Sequence, residues 1–193
     1  MLQLIIGLVL FFSIHSTAII ANPWRLKIKA QIGEMPWKAI YAVISIIGFY
    51  LIVIGYIEAR LSPTIIYEPP VWTRHITFLL MLPVFPLILA AYLPGKIQAK
   101  LKHPMLVATK TWALAHLIAN GALADIVLFG SFLVWAVVDR ISLKRRHQTP
   151  MLQAPGSRFN DVVAVLGGLA AYVVFILWGH TILIGMPLIS RAG

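Results

Sequence analysis

The chain has 193 residues, 60% of them hydrophobic and only 11% charged, with a mean hydropathy of +0.89. A soluble domain carries about 45–50% apolar residues, so the composition points to an integral membrane protein whose first partner is the lipid bilayer. The 16 Lys and Arg against 6 Asp and Glu give a formal charge of +10. These charges fall between apolar runs, where membrane orientation and anionic headgroups account for them and no nucleic acid is needed. Cysteine is absent, which excludes disulfides, iron–sulfur clusters, thiolate ligands and Cys nucleophiles. Any metal or haem is left to His, Met, Tyr, carboxylate or backbone.

A spanning helix needs about 20 apolar residues to cross roughly 30 Å of hydrocarbon, and residues 2–21, 38–58, 76–93, 104–119, 121–139 and 162–182 meet or approach this. The expected fold class is all-α, a polytopic transmembrane bundle of about six helices. The first run has no positive region before it and its Lys and Arg follow it, so it reads as a retained helix and not as a signal peptide. Pro83 and Pro86 remove backbone donors within the third run and should kink it, which opens room for a pocket. Asn120-Gly121 is a turn signal that divides the apolar stretch from Thr111 to Val138 into two antiparallel helices. The connections 22–37, 59–75, 94–103 and 140–161 are too short for a separate fold. Residues 1–187 therefore read as one transmembrane domain and 188–193 as a short tail.

Charge tests this count independently. With the N-terminus outside, the inner loops gather Arg25, Lys27, Lys29 and Lys38, then Lys96, Lys100, Lys102 and Lys110, then Arg140, Lys144, Arg145, Arg146 and Arg158, against Arg60, Arg74 and Arg191 outside. A five-helix arrangement would export the last cluster, so the positive-inside bias favours six helices with both termini outside.

Two histidines lie inside apolar runs, His15 in FFSIHSTAII and His116 in TWALAHLIAN. An imidazole at such depth is costly without a partner, which makes each a candidate for ligation, proton handling or interhelical hydrogen bonding. At about 1.5 Å per residue they sit roughly 10 and 16 Å from the inner boundary, a mismatch within the reach of helix tilt. Two neutral imidazoles on facing helices can hold a b-type haem, each with its second nitrogen fixed by a hydrogen bond; Ser13, Ser16 and Asn120 are near enough in sequence to serve. Asp125, just past the turn, reads as a structural acid paired with His116 or Lys110, or as a proton relay. His75 and His180 fall near a membrane boundary, where aromatic and basic residues act as anchors. His103 stands before Pro104 at a helix start. No nucleotide-binding, zinc-protease or nucleophile-elbow motif is present.

The run Ile32-Gly33-Glu34, then Lys38, Tyr41 and Ser45, followed by PPVWTRH, KHPM, WALAHLIANG-LAD and FLVWAVVDR, resembles the bacterial NnrU family over nearly the whole chain. The resemblance implies a multi-pass protein of the bacterial inner membrane linked by its family name to nitrite and nitric oxide reduction. A relative of that family, the plastid 15-cis-zeta-carotene isomerase, is a haem b membrane enzyme. Its V-H-S-G and W-C-L-A-H segments are similar to Ile14-His15-Ser16 and Trp112-Ala113-Leu114-Ala115-His116 here, which implies haem b ligated by His15 and His116. Ala113 stands where the isomerase has Cys, so a thiolate cannot exchange onto the iron in this chain. The expected function is haem binding with action on a small diatomic or apolar ligand, isomerase-like or nitrogen-oxide-linked. The alternative is a non-catalytic accessory or permeation protein of denitrification whose histidines only join helices.

Overall fold

The computed structural model describes residues 1–145 and 153–189, so Arg146, His147 and Arg191 lie outside the described residues. The described residues form helices joined by turns and loops, with one isolated pairing of Ile65 with Ala122. They form two compact units, 1–64 and 65–193.

The first unit contains α1 (Leu2–His15), α2 (Thr17–Ile20), α3 (Asn22–Ile32) and α4 (Glu34–Ala59). The expected single helix over 2–21 is interrupted: α1 stops at His15 and a short turn of helix follows. Thr17 Oγ1 donates to the Ile14 carbonyl at 2.8 Å, a local bond of the kind that competes with regular helix, and Pro23 then opens α3 as helix starts favour. Residues 22–37, expected as a connection, are largely α3. Gly33 turns the chain from α3 into α4 at φ 90°, a conformation that favours glycine. The foot of α4 is tied by Glu34 Oε1, 2.9 Å from Lys38 Nζ and 3.6 Å from Lys29 Nζ.

Helices α1 and α4 pack antiparallel through small residues. Gly7 faces the backbone of Gly48 and Ile52, Gly48 faces Phe11, and Gly55 faces Leu4, which is fully buried. Glycine at such positions lets two backbones approach within a bilayer, where dispersion between close helices replaces the hydrophobic effect as the driving force.

The second unit contains α5 (Thr73–Met81), α6 (Val84–Ala90), α7 (Lys96–Leu101), α8 (Pro104–Ala119), α9 (Leu123–Ser142), α10 (Asn160–Val174), a π-helical turn (Phe175–Gly179) and α11 (His180–Ile184). The third apolar run breaks at Leu82-Pro83, as the prolines require. Helix α6 packs on α8 and α10, with Gly168 against the ring of Pro86. The kink borders an open apolar cavity of about 360 Å³, lined by Leu82, Pro83 and Pro86, by Ile97 of α7, and by Val165 and Leu169 of α10. The break at Asn120-Gly121 also falls where the turn signal puts it, between α8 and α9. Among the described residues, Glu34–Ala59, Thr73–Ala90 and Asn160–Ile184 are long and apolar enough to cross a membrane, and Leu2–His15 is a shorter apolar helix.

Candidate functional site

His15 ends α1, half-buried. Its Nδ1 lies 2.7 Å from the Phe11 carbonyl, one turn back in the same helix. The ring stacks on Phe11 with centroids 3.9 Å apart and stands 5.0 Å from the ring of Tyr41 on α4. Tyr41 belongs to the same sequence run as Glu34, Lys38 and Ser45, so part of that run is gathered around His15. Ser45 itself turns back on its helix, donating to the Tyr41 carbonyl at 2.7 Å.

His116 lies in the last turn of α8 with the same arrangement: its Nδ1 is 2.8 Å from the Trp112 carbonyl, four residues earlier. A carbonyl oxygen only accepts, so Nδ1 must carry the proton in both rings, and the neutral imidazole then has its lone pair on Nε2. The ring of His116 stacks on Phe129 of α9 at 4.5 Å, and Trp112 meets Phe129 and Phe132 edge-on at 5.0 and 5.3 Å. Ala113 and Ala115, on either side of this aromatic wall, are fully buried.

Asn120 Nδ2 donates to the His116 main-chain carbonyl at 2.9 Å, closing the end of α8 and leaving the ring alone. Asp125, 6% exposed, accepts from the Ala122 backbone N–H at 2.9 Å, so the acid caps its own helix. A carboxylate there also complements the positive end of α9. His103 occupies the position before Pro104 at the start of α8, and His75 is exposed in the first turn of α5. The expected hydroxyl partner Ser13 donates to the Val9 carbonyl at 2.6 Å instead; the Nδ1 bonds of His15 and His116 go to helix backbone carbonyls.

Tyr67 escapes sequence reasoning altogether. It lies across the end of α8: its hydroxyl donates to the carbonyl of Asn120 at 2.7 Å and touches that of Leu117. The N–H groups of Ile66 and Tyr67 bond to the Gly121 carbonyl at 2.9 and 3.2 Å. Burial, with the charge of Asp125 adding to it, pushes the Tyr67 phenol above its ordinary range. His180, expected only as a boundary anchor, is held more closely than that role requires. Its Nδ1 is 2.8 Å from the Met186 carbonyl and its ring meets Phe175 edge-on at 6.0 Å.

Apolar helices of spanning length, charges kept to their ends and half-buried imidazoles define a helical membrane protein. Within that class the chain belongs to the NnrU family, whose model, described as NnrU protein, matches residues 3–188. No curated protein and no solved structure matches it.

Proposed function

We propose that this NnrU protein is a multi-pass protein of the bacterial inner membrane, with both termini outside, that binds b-type haem. His116 would hold the haem iron, with His15 as the second ligand that the resemblance implies, and a small diatomic or apolar molecule would be the ligand acted on. The observation that carries this reading is the shared geometry of the two imidazoles. Each donates Nδ1–H to a carbonyl four residues earlier, which fixes the tautomer, raises the basicity of Nε2 and suits that nitrogen to ligating a metal. Among the described residues no three His, Asp or Glu side chains gather as a metal site. A bare ion such as zinc wants about four protein ligands, whereas a porphyrin brings four nitrogens of its own and asks the protein only for axial ones.

When bound, the group would supply an iron centre able to take a small ligand or polarise a conjugated double bond. The chain's residues do the rest. The backbone bonds at Phe11 and Trp112 hold the rings in orientation, and Phe129 and Trp112 keep one face of His116 dry and apolar. Asn120 and Tyr67 pin the end of the helix that carries His116. The test is the reduced spectrum of the purified protein: His116→Leu should remove the haem absorbance while the variant still elutes as a single membrane species. Undiminished haem in His116→Leu would put the site elsewhere.

A further inference from the structure

Residues 65–193 bring a further imidazole to the level of His116. Gly168 of α10 packs against Pro86 of α6, and Thr77 Oγ1 of α5 donates to the Ala115 carbonyl of α8 at 2.8 Å. At about 1.5 Å per residue, His180 stands about 18 Å beyond Gly168. Along α5 and α6, Thr77 lies about 13.5 Å from Pro86, and His116 is one residue further, at about 15 Å. The two imidazoles are therefore within about 3 Å of the same depth, on helices that both run antiparallel to α5 and α6.

The helices that carry them also share a packing surface. Trp112 and Ile176 pack against one buried cluster that includes Met81, Val84, Ala115 and Tyr172. His116 stands one α-helical turn beyond Trp112, and His180 stands four residues beyond Ile176 across the π-helical turn. The helix carrying His180 changes to π geometry over Phe175–Gly179, immediately before it. Such a turn re-aims every side chain that follows and concentrates at functional sites. His180 also repeats the tautomer device: its Nδ1 proton goes to the Met186 carbonyl, which leaves the lone pair on Nε2.

We propose that His180 is a ligating residue of the His116 site, supplying an axial imidazole to the haem iron. This rests on the haem reading above. There the second ligand, His15, comes from the resemblance; here it comes from the geometry of residues 65–193, so His180 contends with His15 for the position opposite His116.

The experiment compares His180→Met, His180→Ala, His15→Met and the parent protein, each purified from haem-supplemented cells, by visible spectrum and redox titration. Methionine–histidine ligation raises the midpoint potential over bis-histidine. His180→Met should therefore keep haem with altered bands and a raised potential, a change that a merely structural residue would not produce. His180→Ala should turn high-spin, bind carbon monoxide readily and return to low-spin when free imidazole is added. His15→Met should resemble the parent. Both His180 variants holding haem with parental bands and potential, while His15→Met shifts, would overturn the assignment and leave the haem reading standing. A parent protein that takes up no haem removes the haem reading, and the role of His180 falls with it.

Discussion

Gly7→Ala tests the packing that places His15 beside Tyr41. A Cβ at position 7 would lie 2.6 Å from the Ile52 nitrogen and 2.9 Å from the Gly48 oxygen, both backbone atoms that no rotamer change can move. Ordinary contact begins near 3.4 Å, so α1 and α4 must part by about 0.8 Å here, 3.4 less 2.6. A gap of roughly 0.5–1 Å forfeits about a quarter to a half of the dispersion of every pair it touches, and overpacked sites cost about 1–3 kcal/mol. Alanine's better helix propensity returns about 0.5–1 kcal/mol. The expected result is a net loss of up to about 2.5 kcal/mol. Gly130, inside α9, is the control, because a methyl added there would meet nothing within 4 Å: Gly130→Ala should gain about 0.5–1 kcal/mol. Thermal unfolding in detergent, followed by circular dichroism, should move down for the first variant and up for the second. A Gly7→Ala protein as stable as its parent would refute the close approach of α1 to α4.

Other expectations concern the elements around His116. Tyr67→Phe should cost about 0.5–1.5 kcal/mol for the lost hydrogen bonds, read as faster amide exchange at the end of α8. Because folding raises the Tyr67 pKa above the ordinary phenol value of 10.0, the tie to α8 is intact below that value and is lost as pH rises through the shifted one. Alkaline loosening of this segment should thus be present in the parent and absent in Tyr67→Phe. Asp125→Ala removes the cap of α9 and should cost about 1–2 kcal/mol, measured as a lower unfolding midpoint; an unchanged midpoint would show that the cap contributes nothing. Gly121→Ala would drive a methyl into the Tyr67 carbonyl and should destabilise the same segment, checked by limited proteolysis between α4 and α5.

Much of the fold is legible in the residues, because a bilayer imposes a length and a composition on what crosses it. The apolar runs, the break at Asn120-Gly121, the interruption at Pro83 and the start of α8 at His103-Pro104 all follow from local chemistry. The break after His15 and the helicity of residues 22–32 do not, since Thr17 and Pro23 act through backbone bonds that a hydropathy count ignores. For the candidate site, His15 and His116 stand out by depth alone, but their backbone partners are invisible in a search for polar side chains. Tyr67 reaches a carbonyl 53 positions away, a contact with no local signature. His180 reads as a boundary anchor until the π-helical turn before it is known, and a π turn leaves no pattern in the sequence.

We propose that the imidazoles of this protein hold haem iron. The most direct test is the visible absorption spectrum of detergent-purified protein from haem-supplemented cells, recorded as isolated and after dithionite reduction. Sharp low-spin bands in the reduced form, at near-stoichiometric haem, are the predicted result. A colourless, folded and monodisperse protein would contradict it.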